Sequence, residues 1–512
     1  MQITVQKGRI EDTPADAVLL FHCEGEQRLA GETAAVDAKL KGRLADLIKS
    51  GEFTGRLGQV SVLHVAPGER LRAKRAVLIG LGKRKDVSLE KLRQATGTAA
   101  KATRALGAKS FVVPVQDPAT HLTALPAASR MREAAQALVE GALLALYQFT
   151  TYRTERKEEL KPVRQMTLVV NAPRALAEAQ QGVRQGRVIG EATTFVRDLS
   201  NHPANVVTPT YIATEAKKIA KEGRVRCMVL DRSQMQRLGM AAVLGVAQGS
   251  HEPPKFVILD YQGGRRAERP VVLVGKTITF DSGGISLKPA DNMEQMKADM
   301  TGGAAVLATI RAAARLRLPL HVIGIIPATE NMPGGRAIKP GDILTSLSGK
   351  TIEVINTDAE GRLILADGLT YATRYKPAAL VDIATLTGAC AVALGNHAIG
   401  VLGNNEDLIG ELKAAGEQCG ERAWQLPLWE EYYEQIKSDV ADMKNTGGRP
   451  GGTITAAAFL SKFVGDSVWA HLDIASTDWS DRERAYIPKG ATGVGTRLLI
   501  QFLCNRANGK RR

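Results

Sequence analysis

The chain has 512 residues, 44% of them hydrophobic and 24% charged, which is too long for one typical domain and ample for sizeable buried cores, so two domains are expected. It carries 68 Lys and Arg against 53 Asp and Glu, a formal net charge of +15, and no run of 18 apolar residues, which argues against a helical membrane span. Five widely spaced cysteines (Cys23, Cys227, Cys390, Cys419, Cys504) form neither a disulfide framework nor a Cys-x-x-Cys metal motif, and the N-terminus lacks the basic head and apolar stretch of a secretory signal; reduced thiols and a cytoplasmic location are expected.

Taken in chain order, residues 1–172 punctuate as α/β. Strand-like Ala17-Val18-Leu19-Leu20-Phe21, Arg75-Ala76-Val77-Leu78-Ile79-Gly80 and Ser110-Phe111-Val112-Val113-Pro114 alternate with alanine-rich helical stretches such as 131–147. A polar helical segment around 175–199, expected to link the domains over 173–200, ends before Asn201-His202-Pro203 because proline cannot continue it. The remainder, 201–512, is read as one catalytic domain.

Within it, Pro270-Val271-Val272-Leu273-Val274-Gly275-Lys276 is an apolar strand that runs on to Thr279-Phe280-Asp281-Ser282-Gly283-Gly284. Gly275-Lys276-Thr277 invites a phosphate-loop reading, but that motif needs glycine where Pro270 stands, so the nucleotide reading fails. Lys288 follows, then Met296-Lys297-Ala298-Asp299-Met300, opening a small-residue helix over 301–316. Taken singly, Lys276 and Lys288 read as surface lysines, and Asp299 as a helix-start acid favoured by the macrodipole.

The β-branched run Thr351-Ile352-Glu353-Val354-Ile355 reads as a strand, and 363–371 as a helix. Between them, Asn356-Thr357-Asp358-Ala359-Glu360-Gly361-Arg362-Leu363 puts two carboxylates and a guanidinium at alternate positions, which in an extended segment share one side, at a strand's carboxyl end. Acids that close repel unless a cation or proton separates them; the alternative is a solvated turn. With Asp281 and Asp299 the set reaches four carboxylates, more than one small cation takes, which points to two metals sharing acids. The eight histidines (His22, His64, His121, His202, His251, His321, His397, His471) are scattered without a His-Glu-x-x-His motif, so a histidine-based zinc site is disfavoured.

These segments, with Glu330-Asn331-Met332-Pro333-Gly334-Gly335, Ala384-Thr385-Leu386-Thr387-Gly388-Ala389, Asn201-His202-Pro203-Ala204-Asn205 and Trp469-Ala470-His471-Leu472-Asp473-Ile474-Ala475, resemble the successive motifs of the leucyl aminopeptidase (cytosol aminopeptidase) family of bacterial type, from about residue 190 to the end. The fold class expected is α/β, with a smaller N-terminal α/β domain and a larger catalytic one built on a mixed central sheet flanked by helices. The resemblance implies a dinuclear metallo-exopeptidase, a homohexamer that removes leucine-like N-terminal residues from peptides, with two divalent ions (Mn²⁺ or Zn²⁺) per subunit. By the same resemblance Asp281 and Glu360 bridge the ions, Asp358 completes the more exchangeable site, and Asp299 with Lys276, as a neutral amine, completes the tighter one. Lys288 and Arg362 are implied as catalytic, Lys288 polarising the carbonyl or holding the oxyanion and Arg362 holding a bicarbonate that helps move a proton from the metal-bridging water, the nucleophile.

Met296, Thr385, Gly388 and Ala475 match the side-chain pocket, although apolar residues there are also ordinary core packing. The loop Gly447-Gly448-Arg449-Pro450-Gly451-Gly452 is read as pocket wall by family position. Two departures are Thr277, where the family often has glycine, and Asp478, where it is often apolar.

Catalysis leaves the charge unexplained. Residues 1–170 hold 27 Lys and Arg against 18 Asp and Glu, a net of +9, whereas the other 342 residues net +6. Arg70, Arg72, Lys74 and Arg75 cluster, as do Lys83, Arg84 and Lys85, and the chain ends Lys510-Arg511-Arg512. DNA binding by the basic domain is the second functional expectation, against a merely soluble basic surface.

Overall fold

A computed structural model describes residues 1–115, 127–155, 160–264 and 268–509; His121 and the Lys510-Arg511-Arg512 tail lie outside them. The chain divides into two compact units: Met1–Glu191 with Arg482–Pro488, and Ala192–Asp481 with Lys489–Arg512.

In the first unit, β1 (Gln2–Lys7), β2 (Ala17–Glu24), β3 (Val60–His64), β4 (Arg75–Lys83), β5 (Ser110–Pro114) and β6 (Gln165–Val170) form a sheet in the order β1-β6-β5-β2-β4-β3. All neighbours are parallel except β3 and β4. Burial on both faces follows from the two-residue period of the strands. Leu19, Phe21, Val77 and Ile79 meet the helices Leu89–Ala105 and Ala127–Ala145, while Val18, Leu20, Ala76 and Leu78 meet Gly31–Lys39 and Arg43–Lys49.

The linking helix is continuous over Pro173–Asn201, and the boundary between the units falls within it. The expectation of one unbroken catalytic stretch from 201 misses the excursion Arg482–Pro488. Tyr486 packs with Leu144 and Ala145 and donates to Glu90 (2.8 and 2.9 Å to the two carboxylate oxygens), and Lys101 Nζ holds Glu483 at 2.9 Å and the Arg484 carbonyl at 2.8 Å. Contacts nearly 400 residues apart in the chain leave no local signature.

The second unit contains β7 (Val225–Leu230), β8 (Lys255–Gln262), β9 (Val271–Gly275), β10 (Thr277–Asp281), β11 (His321–Asn331), β12 (Ile343–Thr345), β13 (Thr351–Glu353), β14 (Ala379–Ala384), β15 (Ile399–Gly403), β16 (Ala423–Gln425), β17 (Met443–Lys444) and β18 (Trp469–Asp473). The main sheet runs β16-β15-β18-β14-β9-β11-β8-β7, with β10 also paired to β11. Its centre, β18-β14-β9-β11, is parallel, and antiparallel pairings of β15 with β18 and of β8 with β11 and β7 make it mixed. Strands covered on both faces read as continuous apolar runs, as Val271–Val274 does. The small sheet β12-β13-β17 stands apart. Among the described residues, no helix is long and apolar enough to cross a membrane.

Candidate active site

The parallel strands converge their carboxyl ends, where open α/β sheets build sites. Lys276 follows β9, Asp281 ends β10, Asn331 ends β11 and Thr385 follows β14. Asp299 arrives from the turn after the 3₁₀ segment Met293–Ala298, whose backbone is tied to β10 by the Ile278 N–H donating to Asp299 O (3.2 Å).

The octapeptide departs from its expected shape. Strand β13 ends at Glu353 and belongs to the small sheet, 356–360 is a turn, and the helix Gly361–Thr373 starts directly after Glu360. Asp358, Glu360 and Arg362 therefore do not share one side of an extended strand; a turn delivers Asp358, and a helix start delivers Glu360 and Arg362. Asn445, remote in sequence, fixes the turn. Its amide oxygen accepts from Ile355 N (2.8 Å) and its amide nitrogen donates to Asn356 O (2.7 Å), while Asn356 Oδ1 accepts from Asp358 N (2.8 Å).

Each lysine lies across two carboxylates. Lys276 Nζ is 2.8 Å from Asp299 Oδ1 and 2.9 Å from Glu360 Oε1 and donates to Thr385 O at 2.8 Å; Lys288 Nζ is 2.9 Å from Asp281 Oδ2 and 2.5 Å from Asp358 Oδ1. Oxygens of Asp281, Asp358 and Glu360 all lie within 4.8 Å of one another, a spacing that could hold a metal ion. Asp281, Asp299, Glu360 and Lys276 are buried, whereas the side chains of Lys288 and Asp358 stay 22% and 31% exposed, so the cluster opens to solvent on their side.

Three buried acids and the half-buried Asp358 crowd two cations, and the electrostatics follow. Burial opposes the charge on Lys276 and Lys288, but the surrounding carboxylates outweigh it and hold both above the ordinary lysine value. Burial pushes Asp299 well up despite Lys276, and burial with Asp281 raises Asp358 and Glu360. Arg362 is buried, its guanidinium lowered to about 10 by desolvation against Glu360 and Asp473, and among the described residues its Nε and Nη1 have no hydrogen-bond partner; nor has Asp299 Oδ2. Orphaned buried donors of that kind suit a small oxyanion, and an orphaned carboxylate oxygen suits a metal.

Glycine is needed at two positions. Gly283 has φ +87°, and a Cβ there would meet Ser286 O at 2.5 Å and Asp358 Oδ1 at 2.9 Å; a Cβ on Gly361 would meet Lys276 Cε at 2.5 Å.

The expected pocket residues divide. Thr385 is buried, its hydroxyl donating to Asp299 Oδ1 at 2.5 Å, so it orients an acid of the cluster. Met296 and Ala475 are half-buried, and Gly388 is exposed at the start of the helix Gly388–Leu394. The departure Thr277 packs against Gly303 and donates to Gly275 O (3.0 Å), touching none of the acids. Among the described residues no histidine joins the acids; His471 is buried on Asp382 (2.6 Å), which also accepts from Trp469 Nε1 (2.7 Å).

Asn331 is the residue the sequence reading missed. Buried at 2% exposure, its amide nitrogen donates to Asp281 Oδ1 (2.8 Å), Thr357 O (3.0 Å) and Glu360 Oε2 (3.3 Å), tying together acids from β10 and the helix start. Its available signal was a lone amide ending a strand whose middle, 322–328, is apolar.

The basic clusters of the first unit lie at opposite ends of β4. Arg70, Arg72 and Lys74 are exposed before it, with Lys74 on Asp16 at 2.8 Å, and Lys83, Arg84 and Lys85 are exposed at its far end, with Arg84 paired to Glu26. Nine strand residues separate them by roughly 27 Å.

The description "cytosol aminopeptidase family, catalytic domain" matches residues 194–500, and that family's N-terminal domain matches 17–156. A probable cytosol aminopeptidase of Geobacter sp. (strain M21) is 51% identical over 91% of this chain and 92% of its own, and one from Dechloromonas aromatica (strain RCB) is 43% identical over 99% of each. Among solved structures, a mutant of tomato leucine aminopeptidase is similar with a TM-score of 0.86 at 34% identity, covering 99% of this chain and 96% of that one. The bottromycin maturation enzyme BotP in complex with Mn is similar with a TM-score of 0.83 at 35% identity, covering 96% and 100%. The chain belongs to the cytosol aminopeptidase family, and its hydrolytic chemistry is that of an aminopeptidase.

Proposed function

We propose that this aminopeptidase is a two-metal exopeptidase that releases leucine-like N-terminal residues. The observation that carries the reading is the set of four carboxylates, three of them buried, spanned by two lysines. Four carboxylates balance the charge of two divalent ions, and the manganese complex of the similar BotP favours Mn²⁺ or a close relative such as Zn²⁺. When bound, such ions supply a bridging water of lowered pKa and a Lewis acid at the scissile carbonyl.

Asp281 and Glu360 would hold both ions, Asp358 would serve the more open position, and Asp299 with Lys276 would serve the enclosed one. As an ammonium Lys276 cannot ligate; it would hold an ion only as a neutral amine, and two adjacent dications would favour loss of its proton by repulsion. Lys288, on the solvent side, stays cationic and meets the carbonyl oxygen as it gains charge. Arg362 offers its unsatisfied Nε and Nη1 to a bicarbonate that accepts the proton of the attacking water. Met296, Thr385, Gly388 and Ala475 bound the side-chain pocket.

A substrate whose α-amine is free can ligate a metal, and one whose amine is acetylated cannot. Leucine amide and N-acetyl-leucine amide therefore separate the readings. The free compound should be hydrolysed and the blocked one not, and equal rates would sink the exopeptidase claim.

A second reading rests on the +9 charge of residues 1–170: the first unit binds duplex DNA beside the peptidase activity. The reading takes the cluster of Arg70, Arg72, Lys74 and Arg75 as the contact. Binding should weaken steeply with salt, and alanine at Arg70 and Arg72 should flatten that dependence. No binding at roughly 50 mM salt leaves the charge a solubility feature.

A further inference from the structure

Lys288 reaches the acids from a loop that packing holds only weakly. Its neighbours Ile285 and Leu287 are 45% and 61% exposed, and the chain turns there through two consecutive left-handed glycines, Gly283 (φ +87°) and Gly284 (φ +65°). Hydrogen bonds must set the shape of such a loop. At its base Lys288 N donates to Ser282 O (2.9 Å), and Ser282 is fastened to the end of β11 by its N–H (3.0 Å) and its hydroxyl (2.7 Å), both donating to Asn331 O.

The crown of the loop is held by the turn that delivers Asp358. Thr357 is fully buried; its hydroxyl donates to Gly283 O (2.6 Å) and accepts from Ser286 N (2.8 Å), and its own N–H donates to Ser286 Oγ (3.1 Å). Its carbonyl accepts from Asn331 Nδ2 (3.0 Å), which ties the turn to β11 as well. These bonds clamp segments 71 residues apart in the chain, at the residue before Asp358 and two residues short of Lys288. Both partners of the Lys288–Asp358 contact are thus placed by one clamp.

The tip of Lys288 is held by Asp281 (2.9 Å) and Asp358 (2.5 Å). Carboxylates that turned to incoming cations would release the ammonium, and its position would then rest on where the loop puts the Lys288 backbone. The clamp matters most in that state. A group that must meet a developing charge tolerates little displacement, since a misplacement of about 1 Å can cost roughly 10²-fold in rate.

We infer that Thr357 and Ser286 are positioning residues that act through Lys288, holding its loop at the height from which the ammonium meets the scissile carbonyl oxygen; this rests on the role proposed above for Lys288. Thr357→Val keeps the shape and deletes the hydroxyl, so that Gly283 O and Ser286 N lose their partner, whereas Thr357→Ser keeps the hydroxyl. Ser286→Ala removes the bond to Thr357 N alone, from a half-buried side chain that the fold can spare.

The test measures kcat and KM on leucine amide, together with bound metal by elemental analysis, for the metal-loaded full chain and these variants, each made with Lys288 intact and with Lys288→Ala. Thr357→Val should lower kcat roughly 10- to 100-fold with KM and bound metal unchanged, and Thr357→Ser should restore kcat to near that of the unaltered chain. In the Lys288→Ala background the same substitution should lower kcat less than about threefold, because a residue that acts through Lys288 has nothing left to place. Should Thr357→Val fail to fold, Ser286→Ala makes the same comparison between the two backgrounds. An unchanged kcat with Lys288 intact, an equal fall in both backgrounds, or loss of metal overturns the positioning role. If Lys288→Ala alone leaves kcat unchanged, the role proposed for Lys288 is what fails.

Discussion

Replacing Asn331 by alanine removes a buried amide that ties acids from two different elements together. Its amide nitrogen serves Asp281 Oδ1 at 2.8 Å, Thr357 O at 3.0 Å and Glu360 Oε2 at 3.3 Å, and with two N–H groups it makes the equivalent of two bonds, one to an ionised partner at good length. A bond to a charged group contributes roughly 1.5–3 kcal/mol and a neutral one about 1 kcal/mol, so the metal-free protein should lose about 3 kcal/mol, less whatever a water entering the space recovers. With metal bound, the ions themselves compensate the acids, and the amide then acts by orienting them. Loss of such an orienting partner typically weakens metal binding by about 10–100-fold. Urea unfolding in the presence of a chelator reads the first effect, and calorimetric titration with Mn²⁺ reads the second. Unchanged metal affinity together with a stability loss below about 0.5 kcal/mol, the range of an ordinary surface substitution, would refute the reasoning.

Other substitutions separate the roles within the cluster. Glu360→Ala should remove metal and activity together, because this carboxylate faces both Lys276 and the Asp281–Asp358 side. Lys288→Ala should leave metal bound and lower kcat by roughly 10²–10³-fold, the usual cost of losing one oxyanion partner; elemental analysis that finds the metal gone would reassign Lys288 to metal binding. Asp367, buried in the helix Gly361–Thr373, accepts from Val243 N (2.9 Å) and Leu347 N (2.7 Å), yet burial pushes its carboxyl up to about 7. A folded-state pKa above the unfolded 3.8 means that its contribution is intact below about pH 4 and is lost as pH rises through 7. Between pH 5 and 8 the unaltered chain should therefore lose about 3 kcal/mol relative to Asp367→Asn, and parallel stability curves would show that Asp367 does not titrate in that way.

Much of the site was legible because chemistry and local pattern coincide. The apolar run 271–274 marked a strand, buried in the structure, and Lys276 and Asp281 stand at strand ends as expected. The octapeptide was legible in composition and not in shape. Alternation implies a shared side only for extended backbone, and Asn445, 89 residues from Asn356, bends this segment into a turn before the helix. Asn331 carried only a weak signal, because an amide at a strand end is common, and its value lies in reaching Asp281 and Glu360 at once. The excursion Arg482–Pro488 into the first unit was illegible for the same reason: Tyr486 and Glu90 meet across 396 positions.

The proposed two-ion centre of acids and lysines is addressed directly by one titration. The protein is stripped with a chelator, Mn²⁺ is added back, and bound metal and leucine amide hydrolysis are followed together. Two ions per chain should bind, with hydrolysis absent from the stripped protein and rising as the sites fill. Full hydrolysis by metal-free protein, or saturation of activity with no ion held by the chain, would contradict the account.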